Sequence, residues 1–218
     1  MRTTALFAAW LVLLTGIPAD SEIIDRIAIS VGTSVITTSD VDQEIRMTAF
    51  LNGLKPDFST AAKHEAADRL VEQTLVRREL ELSRYPVPDA SAAIPRLEEF
   101  QKSRYPTEAA FQSALAEYGL TEQALRDEFY WQLTLLRFIE VRFRPAVQVS
   151  DRDIQEYFDK KVKPVAEAAH PGDPVILEDY RAQIEDTLTG QRADVELDNW
   201  LKETRGRTAI TMHEDALQ

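Results

Sequence analysis

The sequence predicts a mainly α-helical fold with a small β-sheet that is formed by an N-terminal hairpin and a C-terminal strand. β-Branched residues concentrate in residues 23–37 and again in residues 208–212, as they do in short strands. Between these segments apolar residues recur every three or four positions, which is typical of amphipathic helices. Because an isolated hairpin is only marginally stable, we expect residues 208–212 to pair with residues 27–31 as a third strand.

The hairpin comes first. Residues 23–31 form its first predicted strand, residues 32–34 (Gly-Thr-Ser) its turn, and residues 35–37 its second strand. Ser39 is the predicted N-cap of the first helix, because acidic residues follow it where the helix dipole favours them. This helix is expected to end at Gly53.

The next three helices are separated by prolines and by a glycine. The second begins near Ser59, and its predicted apolar face carries Ala62, Ala66, Leu70, Leu75 and Leu82. The third covers residues 89–103 and contains Pro95, so it either starts late or is kinked. Thr107 caps the short fourth helix, and Gly119 closes it.

The fifth helix is capped by Thr121 and reaches about Phe143. Its predicted apolar stripe consists of Leu125, Phe129, Leu133 and Leu136. Ser150 and Asp153 then resemble a capping box that starts a helix to about Lys161.

Residues 162–173 contain two prolines and a Pro-Gly pair, so they are the predicted linker. Asp173 followed by Pro174 predicts the start of the last helix, which is expected to reach Thr204 before Gly206 breaks it. The apolar residues of this helix are Leu177, Tyr180, Ile184, Leu188, Val195 and Trp200.

Residues 1–19 have the order of features of a secretory signal peptide. Arg2 precedes the apolar run of residues 5–14, and Ala19 is a small residue suited to cleavage. A membrane-spanning helix needs about 20 apolar residues, so an uncleaved anchor is the weaker alternative. We therefore expect export to the periplasm without stable membrane insertion.

Composition and motifs exclude several functions. The net charge is −12, and it argues against binding to nucleic acid and to anionic lipid. There is no cysteine, and the three histidines lack zinc-site spacing. Phosphate-binding, dinucleotide-binding and nucleophile-elbow glycine patterns are also missing from the sequence. We expect no catalytic residue, no metal and no cofactor; a pair of catalytic carboxylates is the weaker alternative.

Aromatic residues are the candidate polypeptide-binding groups. Phe129, Tyr130 and Trp131 are consecutive on one helix and cannot all face one core. Exposed apolar surface often marks a binding site, so we select these three residues together with Phe111. The alternative is that a second helix covers the other face.

The order of several motifs resembles the SurA family of periplasmic chaperones. Residues 25–28 (DRIA) and 35–41 (VITTSDV) resemble the family's opening strand, turn and helix. The resemblance continues in residues 120–126 (LTEQALR), in residues 149–157, which begin with VSDRDI, and in residues 200–203 (WLKE) before the closing strand. It covers nearly all of the chain after residue 19.

The resemblance implies a SurA N-terminal-like multi-helix domain over residues 20–218. Residues 20–161 would form its first part, and the helix and strand of residues 174–212 would complete it. Members of the family usually insert a parvulin-type prolyl isomerase domain before the last helix. Such a domain needs on the order of a hundred residues, and only residues 162–173 are available here. We therefore expect the binding domain without isomerase activity.

The function implied by the resemblance is that of an ATP-independent holdase. Its partners would be unfolded polypeptides, chiefly outer-membrane proteins or other secreted chains, and the outer-membrane assembly machinery. Two alternatives stay open: a prolyl isomerase by family name only, and an adaptor subunit of an envelope assembly complex.

Overall fold

The computed structural model describes residues 25–218. The predicted signal peptide, residues 1–19, lies outside the described residues. The strands are β1 (Ile27–Val31), β2 (Ser34–Thr37) and β3 (Ile210–Met212). The helices are α1 (Thr38–Asn52), α2 (Thr60–Ser83), α3 (Ala93–Arg104), α4 (Glu108–Glu117), α5 (Glu122–Arg142), α6 (Asp151–Tyr157), α7 (Lys163–Ala169) and α8 (Leu177–Arg207). The predicted fold class, mainly helical with a small sheet, is confirmed.

The three strands form one antiparallel sheet in the order β2-β1-β3. Ser30 of β1 pairs with Val35 on one side and with Thr211 on the other. The predicted pairing of the C-terminal strand with the hairpin is therefore confirmed. Gly32 makes the hairpin turn at φ +59°, where a side chain would also meet the Arg78 guanidinium at 3.1 Å.

Thr37, rather than the predicted Ser39, caps α1. The Thr37 hydroxyl accepts a hydrogen bond from the Asp40 backbone N–H at 3.3 Å, and the Asp40 carboxylate accepts one from the Thr37 N–H at 2.8 Å. Ser39 lies in the first helical turn, and its N–H donates to the Asp25 carboxylate at 3.2 Å. Asp40 stands three positions after Thr37 and Asp42 three positions after Ser39, so the spacing of a capping box allows either cap, and the box that forms is the one of Thr37 and Asp40.

Three other predicted caps, Thr107, Thr121 and Ser150, are confirmed, and Ser59, the predicted start of the second helix, is its cap. The side chains of Ser59, Thr107, Thr121 and Ser150 each accept a hydrogen bond from a backbone N–H in the first turn of their helices. Of the two predicted possibilities for the third helix, a late start or a kink at Pro95, the structure has the late start, at Ala93. Pro95 falls in the first turn of α3, where its missing N–H costs no intrahelical hydrogen bond.

The predicted linker is largely helical. A π-helical segment, Phe158–Val162, joins α6 to α7, which continues to Ala169. Asp173 and Pro174 do not start the last helix, because residues 173–176 are non-helical and α8 begins at Leu177. Gly206 lies inside α8 without breaking it, since a glycine in a last turn has a cost of only about 1 kcal/mol.

Three apolar clusters form the part of the molecule that we call the body: the sheet, α1–α5 and the C-terminal part of α8. The first cluster joins the sheet to α1 and α2, and the second joins α1 to α3, α4 and the start of α5. The third joins α2, α5 and α8. Leu82, Leu136 and Val195 are exposed, contrary to the predicted apolar faces, and the buried Phe138 and Ala193 lie on other sides of the turns that carry Leu136 and Val195.

A fourth cluster is separate and forms what we call the arm, residues 149–188. Ile154 of α6, Phe158 of the π-helical segment and Ile184 of α8 make its buried centre. The N-terminal half of α8 thus belongs to the arm and its C-terminal half to the body. The arm therefore has its own small core.

Candidate functional site

The four aromatic residues predicted to bind polypeptides lie mostly in the core. Phe111 is 0%, Trp131 5% and Phe129 7% exposed. Tyr130 is half-buried, and its hydroxyl donates to the Pro88 carbonyl oxygen at 3.2 Å. Three of the four side chains are thus inaccessible to a polypeptide in this conformation.

The reason for this burial is that α5 is covered on opposite sides. Phe129 packs against Phe100 of α3 with ring centroids 5.5 Å apart. Trp131 belongs to the cluster with α2 and α8, and the Arg77 guanidinium stacks 4.1 Å from the centroid of its ring. Phe129 and Trp131 therefore belong to different clusters. This agrees with the alternative prediction, in which a second helix covers the other face of α5. The prediction of an exposed site at these residues does not agree with their positions.

A largely apolar open groove lies within the arm, between α7 and α8. Its volume is about 390 Å³. From α8 it is lined by Tyr180, Gln183, Ile184 and Thr187. Its other wall consists of Tyr157, Lys161, Val162, Val165, Ala166, Ala169 and His170.

Helical spacing explains why these residues share one groove. On α8 the lining positions differ by three, one and three, so they form one stripe. On the opposite wall Val162, Val165, Ala166 and Ala169 follow the same rule. Val165 is 68% exposed at the mouth, whereas Ile184 is buried at the floor. Aliphatic side chains thus remain open to solvent in a concave surface, which is typical of binding sites.

Polar contacts hold α6 and α8 in place beside the groove. The Asp153 carboxylate accepts hydrogen bonds from the Ser150 hydroxyl (2.7 Å) and backbone N–H (2.9 Å), and it pairs with Arg192 of α8 at 2.9 Å. These contacts, first those with Ser150, lower the pKa of Asp153 to about 2. Arg181 of α8 also pairs with Asp151 of α6 at 2.8 Å. These contacts therefore fix α8 to α6, the helix that leads through the π-helical segment into α7.

A second depression is polar and lies in the body, between β2, α1, α2 and α5. Glu44 in it accepts from Arg69 at 2.8 Å. Burial raises the pKa of Glu128, and burial lowers the pKa of Arg77. Gln132 donates to Glu128 at 2.8 Å. Charges of both signs meet here, and no element of the depression offers the continuous apolar surface found in the arm.

Within residues 25–218, histidine and carboxylate side chains do not gather in groups of three that could hold a metal ion. None of the helices in this part of the chain combines the length and the apolar character needed to cross a bilayer.

The fold and the groove define a mainly α-helical protein with a three-stranded antiparallel sheet and an open apolar groove in a separate arm. Comparison with protein-family models and with curated proteins gave no match.

The residues of the groove were not among the predicted site residues. Val162, Val165 and Ala166 fall in residues 162–173, for which two prolines and a Pro-Gly pair predict a linker. The missed signal is the recurrence of apolar residues at positions 162, 165, 166 and 169, which is the helical pattern. Pro164 hid it, although a proline in the first turn is compatible with a helix.

Proposed function

We propose that the protein is an ATP-independent chaperone of the SurA type, which holds unfolded outer-membrane or other secreted polypeptides in the periplasm without isomerase activity. The observation that carries the proposal is the open apolar groove between α7 and α8. The predicted signal peptide and the resemblance of the sequence motifs supply the compartment and the class of client.

The chemistry of the groove suits a client that is not defined by one sequence. Val165 and Ala166 present aliphatic surface, and Tyr157 and Tyr180 are half-buried with rings beside it. Such surface gains free energy from any apolar side chain that it removes from water, at roughly 25 cal/mol per Å² of apolar area. Because this gain is non-directional, it selects apolar character rather than a particular residue.

A light-scattering assay tests the proposal. A denatured outer-membrane porin is diluted into buffer with increasing amounts of the purified protein. We expect aggregation to fall as the protein approaches a stoichiometric ratio. The proposal is wrong if an excess of protein leaves the scattering unchanged.

A matched pair of variants locates the activity. Val165→Asp places a charge at the mouth of the groove and should weaken the suppression of aggregation. Val87→Asp places the same charge on an exposed valine of the body and should leave the suppression unchanged. Equal effects of the two substitutions would mean that the groove is not the client site. Recovery of one stoichiometric partner in place of many clients would instead favour an adaptor subunit.

A further inference from the structure

We infer that the groove of the arm selects apolar polypeptide segments that carry an acidic residue beside their apolar side chains. This inference rests on the proposed function and names the class of segment that the groove prefers. Three observations support it: the groove is lined by basic residues, its described lining contains no carboxylate, and its apolar residues form stripes along the two walls.

The groove differs in charge from the rest of the molecule. The chain has 37 acidic and 25 basic residues. Among the described residues that line the groove none is acidic, whereas Lys161 and His170 are basic. The acidic residues of α8 that are adjacent in sequence to its stripe, Asp179, Glu185 and Asp186, occupy positions outside the lining. A groove that lacks carboxylates on a protein of net charge −12 is a local site for a negatively charged group.

Lys161 is the group that can bind an acidic residue. Its neighbour Lys160 pairs with Glu156 at 3.3 Å on another face of the helix. No carboxylate among residues 25–218 pairs with Lys161, which lies on the groove wall beside Val162 and Val165. Its ammonium group is therefore available to a ligand that already fills the apolar surface.

The position of Lys161 sets the geometry of the partner. The two walls carry apolar stripes at helical spacing, so they accept a ridge of apolar side chains laid along the groove. A carboxylate at one end of that ridge reaches Lys161. A lysine or arginine of the client segment in the same place is repelled by Lys161, and the described lining offers it no carboxylate as a partner.

Fluorescence anisotropy with three labelled peptides tests the inference. The peptides share one set of apolar residues and carry glutamate, glutamine or lysine at the flanking positions. Exposed ion pairs have modest strength, so we expect the glutamate peptide to bind about three- to fivefold more tightly than the lysine peptide. The difference should shrink at high ionic strength, while the common apolar part of binding persists.

Two charge reversals assign the preference to Lys161. Lys161→Glu should abolish or invert the preference for the glutamate peptide. Lys160→Glu changes the net charge by the same amount at a position outside the lining, and it should retain the preference. Circular dichroism of both variants checks that the arm stays helical.

The possible results separate the inference from the function beneath it. Equal affinity for the three peptides would overturn the charge preference and leave the chaperone proposal intact. Binding of none of them, with porin aggregation still suppressed, would place the client site elsewhere and overturn the inference. Sedimentation velocity that shows a dimer disrupted by Val165→Asp would mean that a second copy of the chain fills the groove, which also overturns it.

Discussion

Substitution of Phe111 by alanine distinguishes a core residue from a client-binding residue. The side chain is completely buried, and its ring lies 5.4 Å from that of Tyr105 in the aromatic cluster of α1, α3, α4 and α5. Truncation of a buried phenylalanine costs about 3–5 kcal/mol, because apolar burial is lost and a cavity remains. For a chain of this size each kcal/mol lowers the melting temperature by about 2–4 °C, so Phe111→Ala should melt roughly 6–20 °C lower.

Urea unfolding followed by circular dichroism measures this cost. Leu136→Ala is the control, since Leu136 is 51% exposed on α5 and should lose no more than about 1 kcal/mol. The folded fraction of Phe111→Ala should still bind unfolded porin as the unsubstituted protein does. The assignment of Phe111 to the core would be refuted if the variant unfolded at the same urea concentration and had lost client binding.

Two further predictions concern the backbone and the pH dependence of the arm. Gly190→Ala should stabilise the protein by about 1 kcal/mol in urea unfolding, because an added Cβ at this position of α8 meets nothing within 4 Å. Gly53→Ala should destabilise it, because φ is +66° at Gly53. A change of the same sign in both variants would contradict the backbone explanation. Because the pKa of Asp153 is lowered from 3.8 to about 2 in the fold, its contribution to stability is complete above pH 3.8 and is lost as the pH falls through about 2. Hydrogen exchange of the α6 amides should show this dependence in the unsubstituted protein and lose it in Asp153→Asn.

Elements that depend on local hydrogen bonds could be predicted from the sequence. The predicted caps Thr107, Thr121 and Ser150 and the predicted helix start at Ser59 are confirmed, because each cap side chain and the N–H from which it accepts lie three residues apart. The prediction of Ser39 was wrong because Thr37 and Ser39 each have an acidic residue three positions later, so the local pattern does not decide between them.

Properties that depend on a distant neighbour could not be predicted in the same way. Periodicity gives the direction of an apolar face, but it does not show how far along the helix a partner covers that face. Leu82 and Leu136 continue their stripes and are nevertheless exposed. Conversely, Trp131 lies off the predicted stripe and is buried, because α2 and α8 pack on a second side of α5.

Both the burial of the predicted aromatic residues and the formation of the groove depend on a neighbouring element that is distant in sequence. Phe111 and Phe129 are buried because α1 and α3 pack against α4 and the start of α5. A local sequence pattern does not show this packing. The groove requires the chain to reverse direction in residues 170–176, so that α8 packs along α7. A segment with Pro164 and a Pro-Gly pair is compatible with both a linker and a helical wall, and only the packing partner distinguishes them.

The separation of the arm from the body makes the binding tests interpretable. β3 closes the sheet against β1, so opening of the body disrupts contacts between both ends of the described chain. The arm is held by its own cluster, by the continuous α8 and by ion pairs such as that of Arg192 with Asp153. Val165 and Lys161 take no part in the body clusters. Their substitution should therefore leave the unfolding of the body unchanged, so an altered affinity reports on the groove itself.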